Sequence, residues 1–264
     1  MVKSEEYALV TGASSGIGRE IALQLAARGY SLLLTSRSID GLEQLAAQVK
    51  ERYAVNALCF AADLADPDAV TRLAAWCKEV TSSLAVLINN AGYGLWGNFD
   101  QLELRDQQHM LQLNIGAVIG LTHQLLPLLK QQPNAYIMNV ASTAAYQSVP
   151  TLTVYAATKA FVLNYSRGLR LELEGLNIYV TCLCPGPTAT GFAERAGMAA
   201  LAELADKFNM QPQEVAAAGL KGLFGKKAEV VPGGLNRVSA WGARHLPKSW
   251  IEGISAKLYK VKNR

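Results

Sequence analysis

Seven short apolar runs, at residues 7–11, 31–35, 57–62, 85–89, 135–141, 178–184 and 228–231, are separated by longer stretches with apolar residues three and four apart. The runs are continuous rather than alternating, which is the pattern of strands covered on both faces. The intervening stretches, such as 17–28 and 41–52, have the spacing of amphipathic helices. Gly29 is placed to end the first of these, and Asp40 to cap the second. Strand followed by helix, repeated along the chain, predicts βαβ units. The expected architecture is an α/β fold with one doubly wound parallel sheet of about seven strands and helices on both faces. No linker, low-complexity tract or further repeat interrupts the alternation, so residues 1–264 are read as a single domain.

Composition narrows the function classes. Half the residues are hydrophobic and 17% are charged, which excludes a disordered chain. The apolar stretch at 111–129 is broken by Gln112, Asn114, His123 and Gln124, so no membrane span is expected. The N-terminal residues lack the basic and apolar regions of a secretion signal, and a soluble, cytoplasmic protein is expected. Cys59, Cys77, Cys182 and Cys184 form no C-x-x-C pair and are read as buried reduced thiols. His109, His123 and His245 lack metal-ligand spacing, so no metal site is expected. The net charge of +4 is uneven, because nine lysines and arginines from Lys226 onward face only Glu229 and Glu252, about +7 in all.

The first run leads directly into Thr11-Gly12-Ala13-Ser14-Ser15-Gly16-Ile17-Gly18 and then a helix. Glycines in such a turn remove the Cβ atoms that would block a pyrophosphate. The helix start then offers free N–H groups and the positive end of its dipole. A glycine-rich turn also suits a tight strand-to-helix connection, but its place between first strand and first helix favours a nucleotide. An NAD site carries an acid at the end of the second strand to bind the ribose hydroxyls. Here that position reads Thr35-Ser36-Arg37-Ser38. Arg37, with a hydroxyl from Ser36 or Ser15, suits a ribose 2′-phosphate, so NADP is the predicted cofactor.

Tyr155 and Lys159 lie four residues apart in a helical stretch, which puts phenol and ammonium on one face. A free phenol, with a pKa of about 10, is a poor acid near neutrality. A neighbouring lysine charge favours the phenolate and brings the group toward the range of acid–base catalysis. With the motifs around this pair, the chain resembles the short-chain dehydrogenase/reductase family over nearly its whole length. The glycine loop is similar to the family's TGxxxGxG, and Asn89-Asn90-Ala91-Gly92 to its NNAG motif. Ser142 stands thirteen residues before Tyr155, where the family has its serine, and Asn114 matches its active-site asparagine. Pro185-Gly186-Pro187-Thr188-Ala189-Thr190 resembles its proline–glycine motif with a downstream threonine.

The resemblance implies a Rossmann-like fold and an NADP-dependent oxidoreductase that moves a hydride between nicotinamide and a carbonyl or alcohol substrate. Tyr155 would be the acid in reduction and the base in oxidation. Lys159 would bind the nicotinamide ribose and tune the tyrosine. Ser142 would polarise the substrate carbonyl, and Asn114 would hold a water that links Lys159 to solvent. Asp63, followed by Leu64, would lie beside the adenine, although Asp63 also fits a local turn cap. Asn90, Ala91 and Gly92 would line the centre of the cofactor, and Pro185, Gly186, Thr188 and Thr190 its nicotinamide end. A homodimer or homotetramer is implied, through the helices carrying Asn114 and Tyr155.

Substrate choice rests on other residues. A lid at about 188–225 is expected, rich in Ala, Leu, Met and Phe from Gly191 to Met210. With Tyr93, Leu95, Trp96, Ala144 and Tyr146 it predicts an apolar pocket and a lipophilic substrate. In the tail at 233–264, Trp241, Leu246, Trp250, Ile254, Leu258 and Tyr259 alternate with Arg237, Arg244, Lys248, Lys257 and Lys260. That interleaving suits an amphipathic helix rather than a nucleic-acid arm. The tail is expected to pack on the domain or on another subunit, or to touch a membrane surface weakly. Two rival readings are weaker. A non-catalytic NADP sensor is disfavoured by the intact Tyr155 and Lys159, and a lipid-surface binding protein acting through the tail leaves the motifs unexplained.

Overall fold

The computed structural model describes residues 6–197 and 209–258. Its strands are β1 (Tyr7–Thr11), β2 (Ser31–Ser36), β3 (Ala57–Ala61), β4 (Val86–Asn89), β5 (Ala135–Val140), β6 (Ile178–Leu183) and β7 (Glu229–Val230). All pair in parallel, in the order β3-β2-β1-β4-β5-β6-β7. The expected doubly wound sheet is present, with every strand end within one residue of its predicted place. Chain order reverses between β1 and β4, so a crevice opens beyond their carboxyl ends.

The connections carry α1 (Gly16–Ala26), α2 (Ile39–Tyr53), α3 (Pro67–Val80), α4 (Leu104–Leu111), α5 (Ala117–Leu129) and α6 (Thr153–Leu173). Beyond β6 come α7 (Phe192–Arg195), α8 (Pro212–Phe224), α9 (Gly234–His245) and α10 (Lys248–Leu258). Successive strand residues point to opposite faces, and here both faces are buried. Val10, Leu34 and Ile88 pack with Ile21 and Leu25 of α1, Leu42 and Leu45 of α2, and Leu220 and Leu223 of α8. Leu9, Leu33 and Leu87 pack on the other side with Leu73 of α3 and Leu121 and Leu125 of α5. β3 departs from the two-sided pattern, because it is an edge strand and leaves Leu58 exposed.

Gly29 ends α1 as expected: its φ of +89° lets the Tyr30 N–H reach the Leu25 carbonyl at 3.2 Å. The cap of α2 is a correction. Ser38, not Asp40, accepts the Gly41 N–H at 3.3 Å, and Asp40 lies one residue inside the first turn. The expected lid also divides. Val215, Ala216, Leu220 and Leu223 of α8 are fully buried in the core, so the helical half belongs to the body of the fold. Residues 198–208 of the lid lie outside the described residues, as do Tyr259 and Lys260 of the tail.

Candidate active site

The glycine loop joins β1 to α1 with Gly12 at φ +66° and Gly16 at φ +56°, the left-handed region that favours glycine. Gly18 has ordinary dihedrals but no room, since a Cβ there would overlap the Gly12 carbonyl and the Asn90 amide. The loop is held from beneath by Thr11. Its hydroxyl donates to the Ile88 carbonyl at 3.2 Å and accepts the N–H groups of Asn90 and Ala91 at 2.9 Å each. Asn90 returns the contact, donating to the carbonyls of Thr11 at 2.9 Å and Gly12 at 3.3 Å. The NNAG segment is therefore a brace for the glycine loop, across two neighbouring strands. Among the described residues no side chain caps the start of α1, and its first turn carries no acid. That cradle fits a pyrophosphate, with small residues at the turn and unpaired N–H groups above it.

Arg37 follows β2 on the rim of an open cavity of about 430 Å³, lined also by Tyr93, Arg105, Asp106, His109 and Arg195. Its exposed guanidinium is free to meet a phosphate, and the Ser36 hydroxyl donates to the Ser38 carbonyl at 3.1 Å. Asp63 makes the local turn, accepting the Ala65 N–H at 3.1 Å. Its second oxygen pairs with His109 Nε2 at 3.2 Å, while Leu64 is buried in the core. His109 Nδ1 lies 2.9 Å from the Tyr93 hydroxyl, so this histidine ties the end of β3 to the segment after β4. Sequence reasoning missed Arg105, His109 and Arg195. The i, i+4 spacing of Arg105 and His109 on α4 was the available signal.

Tyr155 and Lys159 share a face of α6 and are both buried. Lys159, 5% exposed, donates to the Val140 carbonyl at 2.9 Å and stands 5.7 Å from the Tyr155 ring centre. Burial pulls its pKa from 10.5 down to about 8. Asn114 lies in a π-helical turn, Gln112–Gly116, between α4 and α5. Such turns leave part of the usual backbone ladder unmade and recur at functional sites. Its side chain is fully engaged, accepting the Tyr93 N–H at 3.2 Å and donating to the Tyr93 carbonyl and the Thr158 hydroxyl at 3.0 Å each. A Cβ on Gly92 would come within 2.9 Å of Asn114 Oδ1 and 3.3 Å of Lys159 Nζ, so these three residues converge. Ser142 starts a one-turn helix just past β5, with its hydroxyl accepting the Ala144 N–H at 3.1 Å. The next residue, Thr143, donates its N–H to the Pro185 carbonyl at 2.8 Å, tying the serine turn to the proline–glycine segment.

That segment crosses back over the glycine loop. The Thr188 hydroxyl donates to the Gly186 carbonyl at 2.9 Å, and the Thr190 methyl would lie 2.9 Å from a Cβ on Gly16. Beyond it, Phe192 of α7 packs on the Tyr155 ring, 5.4 Å between centres. The Trp96 backbone N–H holds α7 down by donating to the Ala196 carbonyl at 2.9 Å. An apolar cluster surrounds Tyr155, formed by Met110, Val149 and Leu152 with Tyr93, Leu95, Trp96, Ala144 and Phe192. Tyr146, expected in this pocket, is not part of it. Its ring packs with Cys182 and Cys184, and its hydroxyl donates to Glu229 at 2.8 Å.

A glycine cradle at a helix start, joined through Asn90, Ala91 and Gly92 to a buried tyrosine–lysine pair, is the arrangement of a nucleotide-dependent oxidoreductase. Comparison with known proteins agrees. A family profile described as short chain dehydrogenase matches residues 6–200. The sulfoacetaldehyde reductase of Chromohalobacter salexigens is 38% identical over 69% of this chain and 72% of its own length. Among solved structures, the short-chain dehydrogenase of Sphingobium yanoikuyae in complex with NADPH is 30% identical. It covers 98% of both chains with a TM-score of 0.82. The bulky-bulky ketone specific alcohol dehydrogenase of Comamonas testosteroni, also 30% identical, covers 96% of this chain and 92% of its own with a TM-score of 0.76. The chain belongs to the short-chain dehydrogenase family of oxidoreductases. Among its described residues no helix is long and apolar enough to cross a membrane.

Proposed function

We propose that the protein is an NADP-dependent oxidoreductase that interconverts a lipophilic ketone or aldehyde with its alcohol. The observation that carries this reading is the buried Tyr155–Lys159 pair beside an apolar cluster, one member of which, Tyr93, also lines the cavity that Arg37 borders. NADP is supported by Arg37 in place of a carboxylate after β2, and by the NADPH bound to the Sphingobium relative. When bound, that cofactor supplies or accepts the hydride.

The chain's own residues handle the proton. Tyr155 gives its phenolic proton to the carbonyl oxygen in reduction and takes the hydroxyl proton in oxidation. Ser142 donates a hydrogen bond to the same oxygen as charge develops on it. Lys159, cationic below about pH 8, favours the phenolate and holds the nicotinamide ribose. Asn114 holds the Tyr93 backbone and the Lys159 surroundings in register beside the π-turn, where a water can replenish the proton. Gly12, Ser14, Ser15, Gly16, Ile17 and Gly18 cradle the pyrophosphate, and Asp63 and Leu64 border the adenine. Asn90, Ala91 and Gly92 flank the ribose, and Pro185, Gly186, Thr188 and Thr190 close on the nicotinamide. Phe192 and Trp96 roof the substrate. The Trp96 indole N–H is buried without a hydrogen-bond partner among the described residues, and suits a second polar atom on the substrate.

Lipophilic selectivity is supported by the cluster around Tyr155 and by the bulky-ketone specificity named for the Comamonas relative. A homodimer or homotetramer is supported by Leu111, Ile119, Phe161 and Leu171, which are exposed on the helices around the site. The unpaired cysteines suit the reducing cytoplasm. Turnover of Tyr155→Phe tests the mechanism, with NADPH oxidation measured against ketones and aldehydes of graded length. The variant should bind NADPH normally and turn over at least 100-fold more slowly. Undiminished turnover would overturn the assignment.

A further inference from the structure

α9 and α10 face the wrong way for ordinary surface helices. On α9, Leu235, Val238 and Trp241 recur every three residues and are 74%, 69% and 60% exposed. The stripe turned toward the protein is polar or small. Asn236 donates to the Pro232 carbonyl at 2.9 Å, Ala240 is buried, and Arg244 pairs with Glu229 and lies over the Tyr146 ring. α10 shows the inversion in part. Trp250 and Ile254, four residues apart, are 66% and 56% exposed, while Ile251 is half-buried, Ser255 is buried and Glu252 accepts the Ser148 hydroxyl at 3.3 Å. α8, a few residues earlier, buries its apolar stripe as a packed helix does. Five large apolar side chains, two of them tryptophans, are thus exposed on two consecutive helices.

The charge on the two helices is mainly positive. Arg237, Lys248 and Lys257 are exposed on them. The single acid of the two helices, Glu252, is engaged with Ser148, and Glu229 is held among Arg167, Arg244 and Tyr146. A second copy of the chain is a poorer occupant, because pairing this face with itself would bring two mainly basic surfaces together. An anionic surface is complementary, and tryptophan with basic residues is the composition of helices lying in a headgroup layer.

We propose that the outward face of α9 and α10 seats on an anionic lipid surface. Trp241, Trp250, Leu235, Val238 and Ile254 enter the headgroup boundary, and Arg237, Lys248 and Lys257 meet the lipid charge. The inward anchors of both helices end on Tyr146 and Ser148, in the segment between Ser142 and α6.

The full-length protein is sedimented at low salt with vesicles of phosphatidylcholine alone, or of phosphatidylcholine with phosphatidylserine. Light scattering reports its mass in parallel. It should sediment only with phosphatidylserine, be released by added salt, and shift its tryptophan emission to the blue. Arg237→Gln, Lys248→Gln and Lys257→Gln together should weaken partitioning roughly 100-fold. Trp241→Ser with Trp250→Ser should abolish it, with circular dichroism confirming both variants folded. If either variant misfolds, the salt release and emission shift of the unaltered protein decide the matter. Failure to sediment with phosphatidylserine would overturn the proposal. So would a halved mass in the tryptophan variant when the unaltered protein binds no vesicle. None of these readouts involves turnover, so they stand apart from the oxidoreductase reading.

Discussion

Three helices leave the first three strands on the same half of the sheet, and only one of them starts unfinished. α2 begins with Ser38 accepting the Gly41 N–H, and with Asp40 in its first turn. α3 begins with Asp66 accepting the Asp68 N–H at 3.0 Å, then Pro67 and Asp68. Both starts have the side-chain acceptors and negative charge that stabilise a helix N-terminus. α1 has neither among the described residues, and two of the glycines leading into it have positive φ. A helix start without an acceptor gives up stability that a bound anion would restore. Lys159 is a second such concession: a cation whose pKa is pulled down by burial, with no carboxylate among the groups that act to raise it. The contrast separates parts of the molecule finished for folding from parts left open for a ligand.

The largest effect expected from breaking this contrast is at Lys159. Lys159→Met should lower turnover by roughly 10²–10⁴-fold while making the protein more stable. Below about pH 8 the lysine is charged in both folded and unfolded chains, and the folded chain bears the whole burial penalty. Between about pH 8 and 10.5 the folded chain releases its proton first, so stability rises with pH and the penalty fades. The methionine variant should therefore gain roughly 3 kcal/mol at neutral pH, a gain that vanishes by about pH 10.5. Denaturant melts at pH 7 and pH 10 measure it. Equal midpoint differences at the two pH values would count against a buried charge as the source.

Ser15→Asp would give α1 the start that α2 and α3 already have. The helix should gain about 0.5–1 kcal/mol from the dipole. NADPH affinity should drop roughly 100-fold or more, because the new carboxylate faces the pyrophosphate. Fluorescence titration and thermal melts should therefore move in opposite directions, and a variant that binds NADPH unchanged would remove the anion site from α1. Arg37→Gln should act more narrowly. It removes one charge-assisted contact, worth about 1.5–3 kcal/mol, or roughly 10–100-fold in the KM for NADPH. The KM for NADH should stay the same, and a parallel loss for both cofactors would place Arg37 away from the 2′-phosphate.

Legibility followed the same division. The strands were readable because each is a continuous apolar run, and the glycine loop because missing side chains are visible in a sequence. Interactions made by side chains from distant strands were not. Thr11 passed as the end of a strand, yet its hydroxyl holds three backbone groups of β4 and the residues after it. Asn89 counted only as part of a motif. It donates to Asn139 at 2.8 Å and Thr122 at 3.1 Å, and Asn139 donates on to Ser166, a buried polar chain linking α5, two strands and α6. The π-turn at Asn114 depends on helix packing and has no local sequence mark. Tyr146 was misplaced because an aromatic near the serine suits a pocket wall as well as a buried anchor, and only Glu229, eighty-three residues away, decides between them.

The smallest effect expected lies at the finished start. Ser38→Ala removes the cap of α2 and should lower stability by about 1 kcal/mol. Asp40 remains in the first turn and still complements the dipole, so the loss should fall at or below that figure. Cofactor affinity should hold only if Ser38 serves the helix and not the ligand, and its position beside Arg37 makes that a real test. A changed ratio of NADPH to NADH affinity in Ser38→Ala would mean that this hydroxyl also orients the arginine. The start of α2 would then belong with α1 among the surfaces shaped for a ligand, and Asp66 of α3 would be the one purely structural cap of the three.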